Sequence, residues 1–207
     1  MTSRNRRVRR TRQFLEEGLL QLMQEKSIKN ITVRELTERV AVNRSTFYLH
    51  YMDIFDMVDK MEEQLFEDFY YELNAEENSG PLREEVYHFM EVALSFLERN
   101  RRTVLILCSQ NGDHTFLKRM EQMTKERAKV WIRSLMGKEA CERQVELATA
   151  FFCSGCVSMV ADWLISPERE DPREILKMMF QLVLGGSNGF TAETGSAGEA
   201  FSFVSAR

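Results

Sequence analysis

Apolar residues recur at steps of three and four through most of the chain, the spacing that lines one face of an α-helix. Phe14, Leu15, Gly18, Leu19, Leu22 and Met23 mark the inner face of a first helix. Val33, Leu36 and Val40 mark a second. After a third comes a long fourth, from about Asp53 into the low seventies, with the stripe Ile54, Val58, Met61, Leu65 and Phe69. A fifth carries Leu82, Val86, Phe89, Ala93, Phe96 and Leu97 and ends near Arg99; a seventh carries Phe116, Met120, Met123, Val130, Trp131 and Leu135 and ends near Met136. The short apolar run Thr103–Ser109 has no partner strand in the pattern and is read as a short sixth helix. The run 147–161 has no charged residue, and Ile175–Leu184 has almost no polar face. The expectation is an all-α protein of about nine helices.

Local signals place the ends. Thr32 with Glu35 three residues on reads as a capping box, Asn43 as the cap of the third helix, and Asp53 with Asp56 as the start of the fourth. Ile28 and Ile31 flank a polar loop and should tuck under the motif. Residues 74–81 (NAEENSGP) interrupt the pattern, Gly112 and Asp113 break and cap, and the eighth helix should start near Lys138. Asp171-Pro-Arg-Glu174 reads as a capping box with proline at the first helical position, opening a ninth helix that Gly185 and Gly186 should end. The domains expected are a three-helix head, residues 1–52, a larger helical domain, residues 53–186, and a disordered Gly/Ser-rich tail, residues 187–207, in which Phe201 and Phe203 have no explanation.

Charge sharpens this division. Residues 1–51 hold 11 Lys+Arg against 5 Asp+Glu, whereas the remainder holds 17 against 27. A basic head on an acidic body points to a polyanionic partner for the head alone. Arg4, Arg6, Arg7, Arg9, Arg10 and Arg12 are read as an arm that touches phosphate, the alternative being a solvated tail. No apolar segment follows these arginines as in a secretory signal. No charge-free run reaches about 18 residues, so no membrane span is expected. Four cysteines without a signal suggest reduced thiols and a cytoplasmic protein.

The stretch Thr32–Tyr51 therefore reads as a helix-turn-helix whose second helix enters the major groove of double-stranded DNA. Arg44, Asn43 and Ser45 lie at the start of that helix, where side chains reach base edges. Arg44 is the first choice, because arginine to guanine is the commonest specific contact. Phe47 points inward. Here the chain resembles the TetR/AcrR family of transcriptional regulators, through Thr32-Val-Arg-Glu-Leu, through Asn43-Arg-Ser-Thr-Phe-Tyr-Leu-His-Tyr, and through Phe14 and Leu19 in the leading helix, over roughly residues 8–60. The resemblance implies phosphate contacts from Thr32, Thr46, Tyr48 and His50 and a base contact from Arg34. For Tyr48 and His50, packing against the first helix is the alternative. Two positions depart from the family pattern. Ala41 stands where glycine is usual, at a cost of about 1 kcal/mol if the backbone is left-handed there. Ile54 stands where a phosphate-binding lysine is usual, so that contact is either missing or supplied by the N-terminal arginines or Lys60.

The last two helices have more apolar surface than one body can cover, and a four-helix bundle across a two-fold axis would bury it. Phe151, Gly155, Met159, Met179, Leu182 and Val183 are the expected homodimer interface, as the resemblance also implies. Phe89, Phe96, Met120, Met123, Trp131 and Phe152 are candidates for the wall of a pocket for a small-molecule effector, the alternative for each being ordinary core. Cys153 and Cys156 form a C-x-x-C, read as core or interface, since no second Cys or His pair lies at metal spacing. His50, His88 and His114 are scattered. Neither a phosphate loop nor a nucleophile elbow is present, so no catalytic residue, metal or cofactor is expected. The reading is an effector-responsive regulator, a repressor by expectation, that binds a pseudo-palindromic operator as a homodimer. Ala41 and Ile54 motivate a second reading, a helical co-activator or adaptor that binds a protein partner with little direct DNA affinity.

Overall fold

In the computed structural model, which describes residues 3–75, 80–112 and 114–191, every regular element is helical. In chain order these are α1 (Ser3–Glu25), a 3-10 turn (Ile28–Asn30), α2 (Val33–Arg39), α3 (Arg44–Tyr48), α4 (Ile54–Leu73), α5 (Leu82–Arg99), α6 (Arg101–Leu107), α7 (His114–Met136), α8 (Glu142–Ile165) and α9 (Pro172–Thr191). They group into two compact units, Met1–Glu76 with Arg99–Lys118, and Glu77–Glu98 with Arg119–Arg207. The physical division thus differs from a cut near residue 52, because α4 and α6 belong to the unit that holds the helix-turn-helix.

In the first unit, Leu15, Gly18, Leu19, Leu22 and Met23 bury the inner face of α1. Phe14 is a correction: it is half exposed, one helical step outside the buried stripe, with the Arg10 guanidinium 5.3 Å from its ring centre. The arginine segment is also corrected, since α1 already begins at Ser3; arginine is a good helix former and no breaker intervenes. Gly18 lets α1 and α2 approach. A Cβ there would sit 2.2 Å from Val40 Cγ1 and 3.2 Å from Leu36 Cδ1. Valine is stiff, so Gly18→Ala should lose stability, by about 1–3 kcal/mol of overpacking against about 1 kcal/mol of gained helix propensity. Thermal melts check this, and Val40→Ala in the same chain should recover part of the loss.

The predicted caps form. The Thr32 hydroxyl accepts from the Glu35 N–H at 3.2 Å, while the Glu35 carboxylate turns to Lys26 at 2.6 Å instead of closing the box. Ile28 and Ile31 are buried beneath this corner. Between α2 and α3 the backbone of Ala41 is left-handed, with φ 52°. Only glycine adopts that conformation without penalty. Ala41→Gly is therefore expected to stabilise the protein by about 0.5–1 kcal/mol, read as a higher melting temperature.

The reason α6 joins this unit lies in its C-terminal turn. The Ile28 N–H donates to the Asn111 carbonyl at 2.9 Å, and Asn111 Nδ2 donates to the Met23 carbonyl at 3.0 Å. Arg102 adds an ion pair to Glu17 at 2.7 Å. Gly112 is obligatory in this turn, since a Cβ would lie 2.1 Å from the Leu107 carbonyl oxygen. Asp113 and residues 76–79 lie outside the described residues.

In the second unit, α7 buries Trp131 and Ile132 but leaves Val130 exposed, a correction of one residue in helical phase. Gly137 (φ 78°) directly follows α7 and ends it, and α8 begins at Glu142 rather than near Lys138, with the Cys141 N–H donating to Gln144 Oε1 at 2.9 Å. By length and composition α8 is, among the described residues, the one helix apolar enough to cross a bilayer, and only 28% of its most apolar window is buried within the chain. Asp171 caps α9 by accepting from the Arg173 N–H at 2.8 Å. α9 runs through Gly185 and Gly186 to Thr191, because neither glycine takes the left-handed conformation that stops a helix. Residues 192–207, and with them Phe201 and Phe203, lie outside the described residues.

Candidate DNA-binding surface

The third helix is short, and its two ends are tied differently. At its start Asn43 Oδ1 accepts from the Ser45 N–H at 2.9 Å and from Ser45 Oγ at 3.0 Å. Asn43 thus spends its oxygen on the cap and keeps only its amide NH₂ for DNA. Arg44 is exposed and has no hydrogen-bond or ion-pair partner among the described residues. Arg34 is exposed on the first turn of α2 and pairs with Glu38 at 2.7 Å, so it must exchange that partner to reach a base. Thr32 is exposed, Thr46 is half-buried, and Tyr48 is exposed with its ring edge-on to Phe47 at 5.4 Å. Burial lowers the His50 imidazole from its usual value and nearby Arg12 lowers it further, which favours the neutral ring.

Tyr51 holds the far end and was not singled out from the sequence. It is buried; its hydroxyl donates to Glu16 at 3.1 Å and accepts from Arg12 Nε at 3.4 Å, and burial pushes the phenol up to about 12. Arg12 is thereby engaged inside the protein, leaving Arg6, Arg7, Arg9 and Arg10 as the exposed cations of this helix among those whose side chains are described. Lys60 lies 5.6 Å from the Tyr51 ring centre and donates to the His50 carbonyl at 3.2 Å and to Asp56 at 2.9 Å. Asp56 also accepts from the Met52 N–H at 2.7 Å, and these bonds hold its carboxyl below the usual range. Lys60 thus braces the exit from α3, while Ile54, in the place of the usual lysine, is buried.

Leu49 was also missed. It follows α3 directly and is 80% exposed, four residues after Ser45, with Met52 exposed beyond it. The available signal was an aliphatic residue at a position whose helical phase faces away from Phe47.

In the second unit, Phe89, Phe96 and Trp131 are buried and Met120, Met123 and Phe152 half-buried. Phe89 and Trp131 meet edge to face at 5.2 Å. On α8, Phe151 and Gly155 are exposed and Met159 half-buried; on α9, Leu182 is exposed and Val183 half-buried. Met179 is a correction. It is 5% exposed and packs into the chain's own core, while its neighbour Met178 faces outward. Burial pushes the Cys153 thiol up to about 11 and raises Cys156 as well, which suits packing rather than redox chemistry. No His/Cys/Asp/Glu group among the described residues could hold a metal.

Residues 84–185 match a TetR family model described as the C-terminal region of transcriptional regulators. A stretch of 53 residues is 34% identical to an uncharacterized HTH-type transcriptional regulator, YxbF, of Bacillus subtilis (strain 168), covering 26% of this chain and 14% of that relative's length. A TetR transcriptional regulator from Streptococcus agalactiae 2603V shares the fold with TM-score 0.61 and 21% identity, over 87% of this chain and 97% of that one. So does NalD, described as the secondary repressor of the MexAB-OprM multidrug efflux pump in Pseudomonas aeruginosa, with TM-score 0.63 and 18% identity over 86% and 97%. The chain belongs to the TetR/AcrR family. That family consists of transcriptional regulators, not enzymes. Membership accounts for an all-helical fold with a cap-delimited helix-turn-helix near its start.

Proposed function

We propose that the protein is a homodimeric, effector-responsive transcriptional repressor that binds a pseudo-palindromic operator, one α3 helix per half-site. The observation that carries this is the set of α3: Asn43 and Tyr51 fix its two ends while Arg44, Ser45 and Leu49 face solvent. Arg34, Asn43, Arg44 and Ser45 then contact bases. Leu49 meets a thymine methyl, the apolar feature of the major groove. Thr32, Thr46, Tyr48 and His50 hold phosphates, with the exposed arginines of α1 adding charge. Function divides near residue 52, although the compact unit holding the head extends beyond it. Residues 53–186 supply the dimer contacts and an effector site lined by Phe89, Phe96, Met120, Met123, Trp131 and Phe152. The effector favours a state in which two α3 helices no longer match the half-sites, which lowers operator affinity. NalD's description as a repressor supports the negative direction. An operator-binding role places the protein in the cytoplasm with the chromosome.

The adaptor reading loses one of its two motives, because Ala41 adopts the left-handed turn that glycine usually supplies. A salt titration separates the two. A dimer with 6–10 phosphate contacts loses about 10³–10⁵ in affinity between 50 and 200 mM salt. A steep linear log–log plot is expected; no binding to promoter DNA at 50 mM salt would favour the adaptor.

A further inference from the structure

Arg127 on α7 is the feature of the second unit that its packing leaves incomplete. Its guanidinium stands 5.7 Å from the Phe89 ring centre and 5.8 Å from that of Trp131. Its one polar partner among the described residues is Glu85, at 3.7 Å, beyond hydrogen-bond distance. Nε is buried with no hydrogen-bond partner. One turn along α5 from Glu85, His88 Nε2 is likewise buried and unpartnered. Glu85, His88 and Phe89 are spaced i, i+3, i+4 and share one face of α5, the face that Arg127 meets. Buried polar atoms normally find partners, and leaving one unpaired is destabilising. Two such atoms therefore lie near each other beside a pair of aromatic rings.

We propose that Arg127, with His88 beside it, anchors the carboxylate of an amphipathic organic acid whose apolar body lies against Phe89 and Trp131. This rests on the reading of the second unit as the effector domain, and it assigns that effector a chemical class. A planar guanidinium fork matches a carboxylate through two parallel hydrogen bonds, which an alcohol cannot accept and an ammonium would repel. Glu85 is the competitor. It is 37% exposed, so it can swing into water as the ligand's carboxylate takes its place.

The test uses the full chain and three probes of equal length, decanoate, decanol and decylammonium, each below its micellar concentration, with binding followed by calorimetry. Decanoate should bind at least tenfold more tightly than the other two. Arg127→Met, which keeps an apolar stem, should abolish that preference while leaving decanol binding within about twofold. Arg127→Lys, which keeps the charge but not the fork, should recover only part of it, and should carry the test if the methionine variant does not fold. Glu85→Gln should tighten decanoate roughly two- to fivefold, the range of an exposed charge pair. Equal binding of the three probes, no binding of decanoate, or an unchanged preference in Arg127→Met overturns the carboxylate anchor. Release of operator DNA by any of the probes would still uphold the effector-domain reading, so the two fail separately.

Discussion

Phe151→Asp is expected to turn the proposed homodimer into a monomer and to abolish operator binding at concentrations where the parent binds. Phe151 is 72% exposed in the single chain, in a stripe on α8 with Leu147, Ser154, Ser158 and Ile165; Leu182 and Met178 are exposed on α9. Burying a phenylalanine stabilises by about 1.5–3 kcal/mol, and a two-fold axis uses the residue twice, so roughly 3–6 kcal/mol is lost. That weakens dimerisation by about 10²–10⁴ before the repulsion of two facing carboxylates is added. Because the side chain touches little of its own chain, the monomer should keep its helical circular dichroism. Sedimentation gives the readout: a dimer of unchanged affinity would refute the interface, and a monomer that still binds the full operator as tightly as the parent would refute the requirement for two heads.

Arg44→Ala should weaken operator binding by about 2–6 kcal/mol for two half-sites, since one good bidentate base contact is worth about 1–3 kcal/mol of discrimination. The loss should fall mainly on the operator and leave random DNA nearly unaffected, because a base contact contributes where its base is present. Arg44 suits this assignment: it lies in the first turn of α3, is exposed, and has no competing partner among the described residues. Binding of both DNAs would be measured at one salt concentration. An equal fall would make Arg44 a phosphate contact, and no fall would remove it from the interface.

Most of the head was legible because its signals are local. Thr32, Asn43 and Asp53 each accept the backbone N–H two or three residues on, and a cap of that kind depends on a handful of adjacent side chains. The Ala41 strain was legible for the same reason, since one residue type in a turn of known handedness implies it. Helical phase was less secure. Phe14 and Val130 each lie beside a residue that was placed correctly, Met179 lies beside the exposed Met178, and a helix turns about 100° per residue. Where a run is apolar on all sides, as between Ile175 and Leu184, the pattern holds no information about which of two neighbours faces the core.

Sequence alone was sufficient for the all-helical class, the cap positions, the place of α3 and the apolar excess of α8 and α9, because these follow from the order of side chains within one or two turns. Only the tertiary structure decided that Arg12 bonds Tyr51 and pairs with Glu16, that Asn111 ties α6 to the head, and that Arg127 stands beside two aromatic rings that touch each other, with its Nε lacking a hydrogen-bonded acceptor. Tyr51 lies 39 residues from Arg12, and Asn111 lies 88 from Met23. No periodicity spans such distances; these pairs exist because burying the helical stripes closes the loops between them and brings polar groups together where water is excluded.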